Sequence, residues 1–237
     1  MIQKRYTLKY VINLIFFIGI FSQAQNTPDQ VATDSLNFEK KYGLRLGLDL
    51  ASLIRTGIDD DYTGFQVLGD YRITDDLYIA AEIGNENLNR GTERIDFETK
   101  GSFIKGGVDY NFYTNWLEMD NMIYAGARVG YANMSQRLTR FDYNDENNYF
   151  PTRSVFTDKE FDGLSSLWLE LQVGIKVEVL SNMYLMANFQ IKRLVTETRP
   201  DGFGNLFIPG YGRTYDNGNI GAGYSYGILY RIPLYKK

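Results

Sequence analysis

"SSLWLELQVGIKVEVLSN", Ser165–Asn182, alternates without interruption. Leu167, Leu169, Leu171, Val173, Ile175, Val177 and Val179 share one face of an extended chain. Trp168, Glu170, Gln172, Gly174, Lys176 and Glu178 share the other. Period two is the signature of a strand, so one face is wholly apolar while the other carries charge. A soluble sheet buries the leucines and shows the charges to water. A membrane barrel does the reverse.

The same alternation recurs along the chain. Gly43–Ala51 sets Leu44, Leu46, Leu48 and Leu50 against Arg45 and Asp49; Gly64–Arg72 sets Phe65, Val67 and Tyr71 against Gln66, Asp70 and Arg72. Leu77–Gly84 opposes its apolar residues to Glu82, Phe103–Phe112 to Lys105 and Asp109, and Met122–Ala132 to Arg128. Met183–Lys192 places Asn188, Gln190 and Lys192 opposite Leu185, Phe189 and Ile191, and Gly221–Ile232 places Ser225 and Arg231 opposite Tyr224, Tyr226 and Tyr230. With the opening stretch this makes eight segments. Their joins alternate between short (Ile73–Asp76, Tyr113–Asn121, Ser181–Asn182) and longer, polar ones (Thr56–Thr63, Asn85–Ser102, Asn133–Leu164, Arg193–Ile220). Short turns at one rim and long loops at the other are the layout of an outer-membrane barrel. The pattern predicts an all-β fold, an eight-stranded antiparallel up-and-down transmembrane β-barrel with a polar, side-chain-filled lumen.

The faces orient it. No apolar-face position in these segments is charged, whereas the opposite faces carry Arg45, Arg72, Lys105, Arg128, Lys176, Lys192 and Arg231 with Asp49, Asp70, Glu82, Asp109, Glu170 and Glu178. The two signs nearly balance, as expected of groups paired in a confined lumen. No amphipathic helix is visible to cover a buried apolar face, and lipid makes one unnecessary. Glycines such as Gly107, Gly130 and Gly223 on the inner face leave room for long Arg and Lys side chains, and a barrel of this size fills with its own side chains. Tyr71, Tyr78, Phe112, Tyr113, Trp116, Tyr184, Tyr230 and Tyr235 lie beside the turn ends, where an aromatic girdle is expected.

The first residues read differently. Lys4, Arg5 and Lys9 precede the apolar run Val11–Phe21, and "SQA" (Ser22–Ala24) offers small residues for cleavage. This is the layout of a secretory signal peptide, with an apolar run too short to span a bilayer. The organisation expected is residues 1–24 signal peptide, 25–40 periplasmic segment and 41–237 barrel. Loss of the signal makes a chain whose formal charge is already −4 more acidic. That argues against nucleic acid as a partner, because phosphate binding needs a basic face.

The chain has no histidine and no cysteine. Ser-His-Asp and Cys-His chemistry and conventional zinc sites are therefore excluded, and no cofactor is implied. "GYSYG" (Gly223–Gly227) matches a nucleophile elbow, but it lies within an alternating strand and lacks a His partner. "GNIGAG" (Gly218–Gly223) opens no helix and so is no phosphate loop. "FDYNDENN" (Phe141–Asn148) spaces Asp142, Asn144 and Asp145 like part of a calcium loop without its central Gly or closing Glu; "DDDY" (Asp59–Tyr62) reads as a polar loop tip. "SYGILYRI" (Ser225–Ile232) resembles the C-terminal recognition signal of outer-membrane proteins, with Ile232 in place of the usual aromatic.

"KYGLRLGLDL", "GDYRITDDLYIAAEIGNE", "GVDYNFYTNW", "MIYAGARVGYANMSQ" and "IPGYGRTYDNG" resemble a family of Bacteroidota outer-membrane barrels defined as a domain of unknown function, over essentially the whole mature chain. In architecture the chain is also similar to small OmpA- and OmpX-type barrels. The resemblance implies the eight-stranded fold and the outer membrane, and it carries over no site residues. The expectation is a non-enzymatic barrel in the outer-membrane bilayer, with a structural role or as a subunit beside another barrel or a periplasmic lipoprotein. A narrow pore or small-ligand-binding barrel is the alternative, and an outer-membrane lipid enzyme a lesser one.

Overall fold

A computed structural model describes residues 41–92, 94–113, 120–143, 153–214 and 218–236. Its longest strand, β6 (Arg153–Leu180), contains the opening stretch, and alternation passes directly into burial. Leu171 is 66% exposed, while its neighbour Glu170 is 1% exposed. The remaining barrel strands are β1 (Lys41–Asp49), β2 (Tyr62–Arg72), β3 (Leu77–Gly91), β4 (Ile95–Asn111), β5 (Met122–Tyr143), β7 (Met183–Glu197) and β10 (Ile220–Lys236). Neighbours in sequence pair antiparallel, β7 pairs with β10, and β10 returns to β1, which closes the ring. Two short strands between β7 and β10, β8 (Phe207–Ile208) and β9 (Gly212–Arg213), pair only with each other.

All eight walls keep the polarity of β6. Leu46, Ile79, Ile83, Ile104, Val108, Val129, Leu169, Val173, Leu185, Phe189 and Ile191 stand exposed on the outside. Arg45, Asp70, Lys105, Asp109, Arg128, Glu170, Lys176 and Arg231 are buried inside. The interior also holds large apolar groups, among them Tyr124, Tyr184, Met122, Leu229 and Trp168, which fill the space between the charges. Room for the largest comes from its partner across the β5–β6 pair: Gly130 faces Trp168, and a Cβ there would collide with the indole.

Three features depart from the sequence expectation. The apolar alternation marks only the lower part of several strands. Much of the expected loop Asn85–Ser102 is a continuation of the β3–β4 hairpin up to Gly91↔Asp96, and β5–β6 pairs onward to Tyr143↔Arg153. Backbone pairing needs no apolar side chains, so polar hairpin extensions leave no alternation of that kind to find. Second, β1 stops at Asp49 and the chain turns into a helix, α1 (Leu50–Ile58). The Asp49 carboxylate accepts the Ser52 N–H at 2.8 Å, a helix N-cap, and Leu50, Ile54 and Ile58 recur every four residues on one face. Leu50 is therefore the start of a helix and not the end of a strand. α1 is amphipathic, although far short of a span: among the described residues no helix is long and apolar enough to cross a membrane.

Third, two expected members of the aromatic girdle point inward. Tyr78 and Tyr184 are 2% and 0% exposed. They share strand phase with Ala80 and Met186, which are also buried, so parity sends them into the lumen. Phe112, Tyr113 and Tyr230 do stand exposed near the turn rim. Trp116, the signal and periplasmic segments, and Asn144 and Asp145 of the calcium-like run lie outside the described residues.

Candidate functional site

Inward phase on seven strands, β1 to β7, brings nine of the candidate charges into one alternating chain. Arg45 Nε lies 2.6 Å from Asp70, and Asp70 lies 2.7 Å from Lys176 Nζ. Lys176 continues to Asp109 at 3.1 Å, and Asp109 to Arg128 at 2.6 Å. Arg128 approaches Glu82 at 3.7 Å, which meets Lys105 at 3.0 Å. Lys105 reaches Glu170 at 3.4 Å, and Glu170 reaches Lys192 at 3.9 Å. Every carboxylate stands between two cations, and the chain begins and ends on a base. Buried charges of this kind persist when each is paired and hydrogen-bonded. Gln172 adds a donor to Asp109 at 3.2 Å, and the Arg45 guanidinium sits over the Tyr78 ring at 4.6 Å.

The other candidates form separate groups. Arg231 pairs with Asp120 at 2.6 Å and Glu178 at 3.3 Å, and Arg72 approaches Asp120 at 3.6 Å, at the rim of the short turns. Asp120 comes from the turn before β5 and carries no strand phase, so alternation could not single it out. Asp49 joins no ion pair of the chain. It caps α1 and accepts the Ser225 hydroxyl at 2.5 Å. The "GYSYG" serine is thus engaged with a helix cap, inside a continuous strand.

At the loop end a plug completes the lumen. The segment carrying β8 and β9 folds into the mouth, with Phe207, Ile208 and Tyr211 buried. Ile208 and Tyr211 join Phe103, Ala132, Met134, Leu164, Trp168 and Leu194 in one apolar cluster, and the Tyr211 ring meets Trp168 edge-on at 5.9 Å. Gly210 makes the reversal with φ +75°, and a Cβ there would stand 2.5 Å from the Phe103 ring; both requirements select glycine. Two charges pin the plug. Lys192 donates to the carbonyls of Gly210 at 2.8 Å and Tyr211 at 3.2 Å, while Glu86 accepts the Gly210 N–H at 2.8 Å and the Tyr62 hydroxyl at 2.6 Å. Glu86 was missed in the sequence, yet it continues the inward phase of Glu82 and Gly84 into the supposed loop.

Above the apolar band, ion pairs are exposed. Hydrogen bonds from Arg140 hold the Asp96 carboxyl below the usual carboxylate range, and those from Arg137 do the same for Asp158. "DDDY" is not merely a loop tip: the Asp59 N–H closes α1 on the Arg55 carbonyl at 2.9 Å, and Tyr62 is buried at the start of β2. Among the described residues no group of three or more Asp or Glu side chains is placed to hold a metal ion.

A closed eight-stranded antiparallel barrel, apolar outside and charge-filled within, is a barrel of transmembrane type. The family model described as "Domain of unknown function (DUF6048)" matches residues 7–237, and the chain belongs to that family. No curated protein matches the sequence. Among solved structures the chain is similar to Neisserial surface protein A, at 15% identity and TM-score 0.42, over 81% of this chain and 95% of that one. It is similar to Ail, the attachment invasion locus protein of Yersinia pestis, at 10% identity and TM-score 0.39, over 82% and 99% of the two chains. A major outer membrane protein from Thermus thermophilus is similar at 14% identity and TM-score 0.41, over 81% and 98%.

Proposed function

We propose that this protein is a non-enzymatic integral barrel of a Gram-negative outer membrane, exported by a signal peptide cleaved after about Ala24, with its turns in the periplasm and its hairpin extensions outside. It serves a structural role, or an accessory one beside another barrel or a periplasmic lipoprotein. The observation that carries this reading is the inversion of polarity: an apolar outer band all around the wall and a lumen closed by paired charges and a plug. Lipid is the solvent that suits such an outside. A lumen packed with the ion-paired chain, Trp168 and the plug leaves little path for solute, so the barrel is a poor candidate for a channel.

The test is fractionation of the expressed full chain, followed by electrophoresis of heated and unheated samples and planar-bilayer recording. The expected result is outer-membrane recovery, detergent-dependent solubility, a heat-dependent mobility shift and no steady conductance. A monodisperse soluble protein without detergent would overturn the membrane reading, and a steady current would overturn the closed lumen. Affinity purification in mild detergent tests the accessory role; without a reproducible partner, the barrel stands alone.

A further inference from the structure

The barrel wall is one strand short at its loop end. β1 pairs with β10 only from Gly227 onward and with β2 only from Val67 onward, because β1 ends at Asp49. Above that level β10 continues through Ile220–Tyr226 paired to β7 alone, and β2 continues through Tyr62–Gln66 paired to β3 alone. The space between these two edges is taken by α1. On the β2 side the helix substitutes for the missing strand: Thr56 Oγ1 accepts the Gly64 N–H at 2.8 Å and lies 3.1 Å from the Gly64 carbonyl. On the β10 side the junction is looser. Among the described residues, the side-chain hydrogen bond on that side is the one from Ser225 to Asp49, at the foot of the helix.

A cavity of about 440 Å³ lies along this loose side. Its outer lining is apolar, with Ile54 and Ile58 of α1 and Phe189, Tyr224 and Tyr226 of the wall. Its inner lining is polar and includes Lys105, Gln190, Lys192 and Ser225. It also includes two carboxylates that are already engaged, Glu86 by the Gly210 N–H and the Tyr62 hydroxyl and Asp49 by Ser52 and Ser225. The register fixes its height. Tyr224 pairs with Phe189 and Ala222 with Ile191, and Phe189, Ile191 and Tyr224 all belong to the exposed apolar face, so this side of the cavity borders the apolar band. Ile58 is 80% exposed there and Tyr224 69%, on the face that the membrane reading gives to lipid.

Lys192 supplies the electrostatics. It ends the alternating chain on a base, and its nearest carboxylate among the described residues is Glu170 at 3.9 Å. Two of its three N–H donors go to the Gly210 and Tyr211 carbonyls, which leaves one without a protein acceptor within hydrogen-bonding distance among the described residues. A buried ammonium with a spare donor at the inner end of a cavity whose outer end is apolar matches one chemistry: an anionic head on an aliphatic chain.

We propose that the gap between α1 and β10 is a lateral binding site for an anionic amphiphile, whose chain enters from the bilayer past Ile54, Ile58 and Tyr224 and whose carboxylate or phosphate is held by Lys192. The proposal rests on the membrane-barrel reading. It is tested on the full-length mature barrel, delipidated, refolded in a non-ionic detergent and checked for its heat-dependent mobility shift. Native mass spectrometry then follows titration with oleate in one arm, lysophosphatidylglycerol in a second and neutral dodecyl maltoside in a third. The expected result is saturable binding of one anionic amphiphile and none of the neutral one, and the tighter of the two anions identifies the carboxylate or the phosphate source. Lys192→Gln should weaken that binding about tenfold, the worth of one charge-assisted hydrogen bond. Ile58→Asn, an exposed change outside the lumen, should weaken oleate while leaving octanoate nearly unchanged. Equal binding of neutral and anionic amphiphiles, or no binding by a barrel that shows the mobility shift, would overturn the site and leave the membrane reading standing. A chain that needs no detergent would overturn that reading itself.

Discussion

Leu171 and Glu170 are chain neighbours with opposite surroundings, the first on the exposed apolar face and the second in a buried salt bridge. Leu171 lies midway along the exposed face of β6, so Leu171→Arg should destabilise by about 2–4 kcal/mol, measured by urea unfolding in bilayers. Tolerance of that arginine would mean that the face meets water. Inside, Asp70 separates Arg45 from Lys176. Asp70→Leu removes the carboxylate between the two cations, leaving Lys176 to Asp109 and Arg45 without its ion-pair partner, and should cost about 3–5 kcal/mol in the same assay, far more than replacing the whole cluster by packed apolar groups. Asp96 tests the water-exposed region. Its folded pKa is lowered by Arg140, so its contribution to stability is present above the unfolded value and is lost as pH falls through the folded one. An NMR titration of Asp96 should give a midpoint below the ordinary value of about 3.9, and Arg140→Gln should raise it.

At the scale of elements, legibility followed periodicity. β6 and its companions could be located because their outer face carries an apolar residue at every second position. The same rule placed Arg45, Lys176 and Arg231 on the inner faces where the structure has them. It was blind to three kinds of structure. Polar hairpin extensions pair through backbone alone, the plug of Phe207–Tyr211 has too few residues for a period, and α1 begins in a leucine alternation that runs on past its cap. The sequence "LDLAS" contains both signals, and the capping carboxylate of Asp49 prevails. Pairing along the chain of charges was not legible either, since which cation meets which carboxylate depends on strand register. α1 offers a direct test of its place in the wall. Thr56→Val keeps the shape of the side chain but removes the acceptor of the Gly64 N–H, and should cost about 1–3 kcal/mol. Faster amide exchange at Gly64, with β4 and β5 unchanged, would show the loss to be local; unaltered exchange would mean that the helix does not seal that edge.

For the whole molecule, the weak place is where the ends meet. Most neighbouring barrel strands are joined by hairpins, which form over short chain distances. β1 must instead find β10 across nearly the full length of the described chain, Lys41 against Lys236, and its ladder to β2 extends only from Leu44 to Leu48. The entropy of closure rises with the logarithm of the intervening chain, and contacts of high sequence separation form late. Assembly should therefore run from the β3–β6 hairpins outward and finish at β1, whose amides should gain exchange protection last in pulse-labelled refolding. α1 follows β1 directly in the chain, so it takes its seat in the wall only after that final docking. The lateral cavity is consequently a product of the closing step. Any molecule bound there would favour the zipped ring over the unzipped one, acting as a latch on a fold whose last pairing is among its shortest.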